Sequence, residues 1–282
     1  MIDKKYIDGV EIHPIGIGTW GIGGFMEPEY GDEEKAVEAI KYSVSKGQNH
    51  IDAAELYGAG HTEEVIAEAL KELDRDKLFI ASKVNRRMTK SNEVVRSVEK
   101  ILKRLEIDQL DLLYLHSYWE EENMEEWLQG VNDAVDKGLA KRLAVSNWSV
   151  ENLKWGMSKT KHKIVANQMN YNILYQVEAP QEMKDLCKKE NITIVAYRPV
   201  ERKLLADQCE NETVLEIAKK YDKTPAQIAI NWLISQENTV AIPKAVDKAH
   251  IDENLVAMDF ELEQGDIEQL NNIEPGGSPD GK

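Results

Sequence analysis

HIDAAELYGAGHTEEVIAEALKELDRDKLFIASKV, residues 50–84, decides the fold. It opens on the apolar run HIDAA (50–54) and closes on a second, LFIASKV (78–84). Between them Val65, Ile66, Ala69, Leu70 and Leu73 keep the spacing of one helix face, which predicts a helix near 62–73. Runs such as LFIASKV are continuous rather than alternating, as strands buried on both faces of a parallel sheet are. A third run, LDLLYLH (110–116), comes after a helix predicted near 91–105, with Ser91 as its N-cap.

The rhythm extends in both directions. Upstream, KKYI and VEIH flank Asp8-Gly9, a strong two-residue turn signal, so residues 1–13 read as a β-hairpin. PIGIG then leads to a glycine-rich loop (18–24) and a helix near 33–46. Downstream, a helix near 124–137 ends at Gly138, in the usual C′ place. LAKRLAVSN (139–147), IVANQMNY (164–171), ITIVAYRPV (192–200) and TVAIPKA (239–245) read as further strands. Their helices fall after Ser149 as a cap, near 180–190, near 211–221 and 225–235, and, as the last one, near 247–256. Thr224-Pro225-Ala226-Gln227 is a capping box with proline at the first helical position. Eight strand–helix units in about 250 residues make an α/β fold, a (β/α)8 TIM barrel with an N-terminal β-hairpin. No linker or composition shift divides the chain, so residues 1–282 read as one domain, with PGGSPDGK (275–282) a flexible tail.

Hydrophobic residues make up 42% of the 282, enough for a sizeable core, and the formal net charge is −16. Such a charge disfavours nucleic acid and anionic membranes as partners, since both need basic patches. No apolar run reaches the roughly 20 residues of a membrane span, and MIDKKYIDGVEIH has no signal-peptide core. Cys187 and Cys209 lie in no ligand pattern and read as thiols of a cytoplasmic protein. The six histidines form no HExxH or i, i+4 pair, so no metal site is expected.

GIGTWG (16–21) matches the dinucleotide fingerprint G-x-G-x-x-G letter for letter. The fingerprint has physical meaning only when its third glycine opens a helix, and here IGGFMEPEYGD intervenes before helix-forming residues begin. The segment reads instead as a barrel loop that carries Trp20 to the pocket mouth.

Asp52, Tyr57, Lys83 and His116 all fall at or just after strand ends. In a parallel barrel those ends converge on the face where catalytic residues gather. A buried lysine needs a partner, and Asp52 on the adjacent strand supplies one. Singly, Tyr57 could be packing and His116 a satisfied core histidine. Together the four can move a proton onto a carbonyl oxygen: the Lys83 ammonium is expected to lower the Tyr57 pKa, and His116 to face the developing oxyanion.

These residues and their flanks resemble the aldo-keto reductase family. The pieces are GIGTWGIGG (16–24), IDAAELYGAGHTEE (51–64), SKV (82–84), LDLLYLH (110–116), VSN (145–147), NQMNYN (167–172), AYRP (196–199) and IPKA (242–245). The resemblance implies hydride transfer from a nicotinamide to an aldehyde or ketone, with Asp52, Tyr57, Lys83 and His116 catalytic and Tyr57 the proton donor. It implies NADP as cofactor, with NAD use open. Cofactor contacts would come from Gly18, Thr19, Trp20 and Asp52, from Ser146, Asn147 and Gln168 at the carboxamide, and from Tyr197 stacked on the ring. Arg198 and Pro199 would follow, with Lys244 and His250 at the 2′-phosphate and Glu253 and Asn254 at the adenine. Trp20, Tyr57, His116 and Trp119 would meet the substrate. His250 stands where many relatives have arginine, which leaves Lys244 and nearby Lys248 as the positive field. VERKLL (200–205) replaces a glycine-bearing loop, and Arg202 and Lys203 could supply charge there. The loops after the fourth and seventh strands read as short, giving an open pocket. Two rival readings stay open: a non-catalytic, cofactor-binding redox-sensing subunit, and a barrel lyase using Lys83 as a Schiff base.

Overall fold

The computed structural model describes residues 2–85, 90–117, 123–202 and 204–274. Two short strands, β1 (Lys5–Ile7) and β2 (Val10–Ile12), pair antiparallel across Asp8-Gly9. Asp8 and Gly9 have φ of 48° and 80°, the left-handed pair such a tight turn demands. Ile7 and Ile12 pack into one apolar cluster with Phe79, Leu112, Val165 and Val240, so the hairpin plugs the start of the barrel.

Eight parallel strands follow: β3 (Ile17–Gly18), β4 (His50–Asp52), β5 (Phe79–Val84), β6 (Leu112–Leu115), β7 (Leu143–Ser146), β8 (Ile164–Asn170), β9 (Thr193–Tyr197) and β10 (Thr239–Ala241). Each pairs with the next in chain order. Gly16 N donates to Ala241 O at 2.8 Å and Gly18 N to Pro243 O at 3.0 Å, closing the sheet on itself. The fold is the expected (β/α)8 barrel with its hairpin. Ten α-helices lie among the described residues: α1 (Glu33–Ser45), α2 (His61–Leu70), α3 (Ser91–Leu105), α4 (Met124–Asp136), α5 (Val150–Lys159), α6 (Gln181–Glu190), α7 (Glu212–Tyr221), α8 (Pro225–Ser235), α9 (Lys248–Leu255) and α10 (Gln264–Asn271). A layer of Ile, Leu and Val between strands and helices, from Ile15 to Leu270, forms the larger core.

Local signals set several helix ends as expected. Thr224 Oγ1 accepts from Gln227 N at 3.3 Å and Gln227 Oε1 from Thr224 N at 3.0 Å, the capping box of α8. Ser149 Oγ accepts from Asn152 N at 3.2 Å and starts α5. Gly138, at φ 73°, follows α4.

Three expectations are corrected. Ser91 is the first residue of α3 rather than its cap; Lys90 takes that place, and Glu93 reaches back to Lys90 N at 3.2 Å. The helix near 247–256 is not the last, because α10 follows it. Its sequence, QGDIEQLN, has only Ile267 and Leu270 to bury and a glycine at its second position, so no helical stripe announces it. The loop after β9 is not short: it runs from Arg198 to the start of α7 at Glu212, since no helical period begins before then. The tail 275–282 lies outside the described residues.

Candidate active site

Strand alternation sends every second side chain of β5 into the barrel. Phe79 and Ala81 fill the interior cluster, and Lys83 stands next above them at the C-terminal rim. Its ammonium is fully buried and has three oxygens around it. Nζ lies 2.6 Å from Asp52 Oδ2, 2.8 Å from Ala53 O and 3.2 Å from Tyr57 Oη. It also sits 4.9 Å over the Tyr57 ring. Asp52 is the last residue of β4, and its second oxygen accepts from Gln168 Nε2 at 2.7 Å. Acid, amine and phenol thus form one hydrogen-bonded group, tied through Gln168 to the opposite wall of the barrel.

Tyr57 opens a single 3-10 turn, and its backbone N donates to Ala54 O at 3.0 Å. The Trp20 ring stands edge-on to the Tyr57 ring at 4.8 Å, and the His116 ring at 5.9 Å. His116 follows β6, with its N on Val84 O at 3.2 Å. The four residues read from strand ends therefore meet in one cluster at the rim, with Trp20, 37% exposed, on its outer side.

Burial raises the Tyr57 pKa above the ordinary tyrosine value, and the Lys83 charge opposes this without overcoming it. The expectation that Lys83 would bring the phenol below that value is corrected: the ring is only 8% exposed, and losing solvent costs the phenolate more than the ammonium returns. Burial also works to lower Lys83, but the Asp52 carboxylate and the Tyr57 phenol outweigh it, and its pKa stands above the usual lysine value. The resting site therefore holds a neutral phenol against a charged amine.

The remaining positions spread along the same rim. Thr19 Oγ1 donates to Asp52 O at 2.7 Å, which fastens the first loop to β4. A Cβ on Gly18 would meet Ile242 O at 2.5 Å, so only glycine allows β3 this close to the chain after β10. Asn147 Nδ2 donates to Ser146 Oγ at 3.0 Å, and Tyr197 Oη donates to Asn147 Oδ1 at 3.0 Å. Asn147 and Arg198 both have left-handed backbone, with φ of 58° and 52°, and Pro199 behind them is buried. Gln168, expected at a carboxamide, spends its amide nitrogen on Asp52.

At the far end, His250 is exposed, Lys244 reaches solvent with part of its side chain covered, and Glu253 and Asn254 are half-buried on α9. Asn254 lines a small depression with Gly16, Pro243 and Ala245. Lys248 lies 5.2 Å over the Tyr42 ring of α1. A further cation whose charge acts on Lys244 is Lys35, which the sequence reading missed. Its neighbours Ala36 and Val37 pack with Val246, and partial burial together with the Lys35 charge lowers the Lys244 pKa. In EEKAVEAI nothing local separates Lys35 from a solvated helix face. Phe25, 5.5 Å from the Trp20 ring, was also missed, although an apolar residue inside a polar loop was a usable signal. Trp119 and Lys203 lie outside the described residues. Among the described residues both cysteines are free, no helix is long and apolar enough to cross a membrane, and no three His, Cys, Asp or Glu gather as for a metal ion.

A closed parallel barrel with a buried acid–amine–phenol group at its C-terminal rim defines an enzyme architecture. The family model for the Aldo/keto reductase family matches residues 14–275, and the chain belongs to that family and is an oxidoreductase of it. It is 30% identical over 269 residues to the glyoxal reductase of Bacillus subtilis (strain 168), covering 95% of this chain and 91% of that one. The structure of a thermostable aldo-keto reductase, Tm1743, in complex with the inhibitor epalrestat superposes with a TM-score of 0.90 at 39% identity, covering 95% of this chain and 98% of that one. An aldo/keto reductase from Klebsiella pneumoniae in complex with NADP and acetate superposes at 0.86 with 26% identity, covering 98% and 97%.

Proposed function

We propose that this protein reduces small aldehydes and ketones to alcohols with NADPH, and that Tyr57 gives the carbonyl oxygen its proton. One observation carries the reading: the buried Lys83 ammonium stands between the Asp52 carboxylate at 2.6 Å and the Tyr57 hydroxyl at 3.2 Å. When bound, the dinucleotide supplies the two electrons that reduce the carbonyl carbon.

The chain's own residues do the rest. The Tyr57 phenol is protonated at neutral pH, its pKa raised by burial from a value already above neutrality, so the proton is in place before the substrate arrives. As it leaves, negative charge grows on Oη, and Lys83 neutralises it. Asp52 keeps Lys83 charged, and Gln168 keeps Asp52 aimed. The His116 ring beside Tyr57 confines the carbonyl oxygen to the phenol, while Trp20 and Phe25 cover the apolar part of the substrate.

The residues present fit the cofactor. Lys35 is close enough for its charge to act on Lys244, and neither pairs with a carboxylate among the described residues, in a chain of net charge −16. Two neighbouring cations in an acidic protein suit a phosphate. Lys244 would hold the 2′-phosphate, with His250 beside it and Glu253 and Asn254 toward the adenine. Ser146 and Asn147 would hold the carboxamide, Gly18, Thr19, Arg198 and Pro199 the neighbouring backbone, and the Tyr197 ring the nicotinamide face. The Klebsiella pneumoniae relative in complex with NADP supports this, and the Bacillus subtilis glyoxal reductase supports a small carbonyl substrate.

The test is Tyr57→Phe, assayed with NADPH and NADH across a panel of small aldehydes. Turnover should fall by about a hundredfold or more, as for loss of a general acid, while NADPH binding persists. Near-parental turnover in that variant ends the assignment. Tight NADPH binding by the parent with no turnover of any carbonyl favours the redox-sensing alternative.

A further inference from the structure

The turn between Tyr57 and α2 does not hold itself. Gly58, Ala59 and Gly60 have φ of 54°, 51° and 100°, so three successive residues are left-handed. Ala59 carries a Cβ that disfavours this conformation, which persists only where the surroundings enforce it. On one side Gly58 N donates to Phe25 O at 2.7 Å, and a Cβ on Gly58 would meet Gly23 O at 2.5 Å. On the other side Gly60 rests directly on a side chain from α3: its Cβ would lie 2.6 Å from Arg104 Nε and 2.8 Å from Arg104 Cδ.

Arg104 is itself held. Its Nε donates to Glu63 Oε2 at 2.7 Å, and its Nη2 lies 2.6 Å from the same oxygen. Glu63 stands in the first turn of α2, fully buried, and its other oxygen accepts from Ser82 Oγ at 2.7 Å. Ser82 is the residue before Lys83. Alternation along β5 turns Lys83 into the barrel and Ser82 out toward the helices. One strand therefore carries the amine on its inner face and, on its outer face, the anchor of a chain that runs through Glu63 and Arg104 to the turn bearing the phenol. Burying an ion pair is a weak source of stability, since apolar side chains of similar volume often do as well. Its distinguishing property is direction: the planar guanidinium, hydrogen-bonded through Nε to the carboxylate and packed on Gly60, has little room to turn.

We propose that Ser82, Glu63 and Arg104 are positioning residues that fix the 58–60 turn and thereby hold the Tyr57 hydroxyl at hydrogen-bonding distance from Lys83. None touches the pocket; they act through Tyr57 alone, and the proposal rests on the reading of Tyr57 as proton donor. Loss of the network lets the turn relax and moves the hydroxyl off the line between Lys83 and the carbonyl oxygen.

The experiment is a double-mutant cycle. Arg104→Met and Ser82→Ala are each made in the parent and in Tyr57→Phe, and kcat and KM for a small aldehyde, the Kd of NADPH and the thermal midpoint are measured. Arg104→Met should lower kcat about tenfold or more and Ser82→Ala less, with the NADPH Kd within about twofold, because sub-ångström misplacement of a reacting group acts on the rate. In the Tyr57→Phe background neither should lower the residual rate further, since the group they position is gone. General structural damage would lower it in both backgrounds. A folded Arg104→Met protein with parental kcat, or an additive loss on top of Tyr57→Phe, overturns the proposal. Should Arg104→Met not fold, Ser82→Ala removes one hydroxyl and leaves the ion pair, and decides by the same two readouts. If Tyr57→Phe is inactive while Arg104→Met and Ser82→Ala keep parental rates, the network fails alone. If Tyr57→Phe keeps parental turnover, the proton-donor reading fails first.

Discussion

Replacing Lys83 by methionine should cost this enzyme rate and stability together, and the two losses can be separated. Nζ lies 3.2 Å from the Tyr57 oxygen. At an effective dielectric of about 20, a full charge on that oxygen gains roughly 5 kcal/mol from the ammonium. With about half the charge developed in the transition state, the gain is about 2.5 kcal/mol, or roughly seventyfold in rate. The Asp52 carboxylate opposes the phenolate and offsets part of this. A fall of between about ten- and seventyfold is expected in the single-turnover rate at saturating NADPH. The same change leaves Asp52, 2% exposed, without its cation. Breaking a buried pair in this way costs about 3–5 kcal/mol, read by denaturant unfolding. Adding Asp52→Asn removes the stranded charge, so the double variant should regain most of the stability and none of the rate. A folded Lys83→Met protein within threefold of the parental rate, or a double variant that recovers it, would refute the electrostatic role.

The Tyr57 phenol lies above the ordinary value of 10.0, so it stays protonated through neutrality; the pH profile of reduction should be flat there, and a Tyr57-dependent alkaline limb well below that value would contradict the placement of the donor. His50, fully buried, is pushed down to about 4 from 6.5, first by burial. Below about pH 6.5 the unfolded imidazole binds a proton that the folded one refuses, so stability falls by about 3 kcal/mol down to about pH 4. His50→Asn should flatten that part of the pH dependence, and unfolding curves parallel to the parent's would exclude it. Lys244→Met should weaken NADPH binding about tenfold and leave NADH unchanged in a fluorescence titration, as expected for loss of one charge-assisted phosphate contact. Lys35→Met should do the same to a smaller degree, and equal effects on both cofactors would remove the phosphate from this site.

The barrel was legible because its strands are buried on both faces. LFIASKV has no polar alternation, so Lys83 at its end stood out as a group that needed a partner, and HID at the end of the neighbouring strand offered one. The cap at Thr224 and the turn at Asp8-Gly9 were equally readable, since both act through the few residues beside them. What was missed acts at a distance or against a weak pattern. α10 has too little apolar surface to signal itself. Lys35 reads as a solvated helix face until Val246 is brought against Ala36 and Val37.

The alternation of strands and helices up to α9, and the acid, phenol, amine and imidazole at strand ends, are properties of the chain alone, because periodicity and spacing survive in one dimension. The direction of the Tyr57 shift, the binding of Gln168 to Asp52 and the seating of Gly60 on Arg104 were decided only in three dimensions. Each depends on how much water a group loses and on which neighbour the closed barrel sets beside it, and both are consequences of packing between residues far apart in sequence.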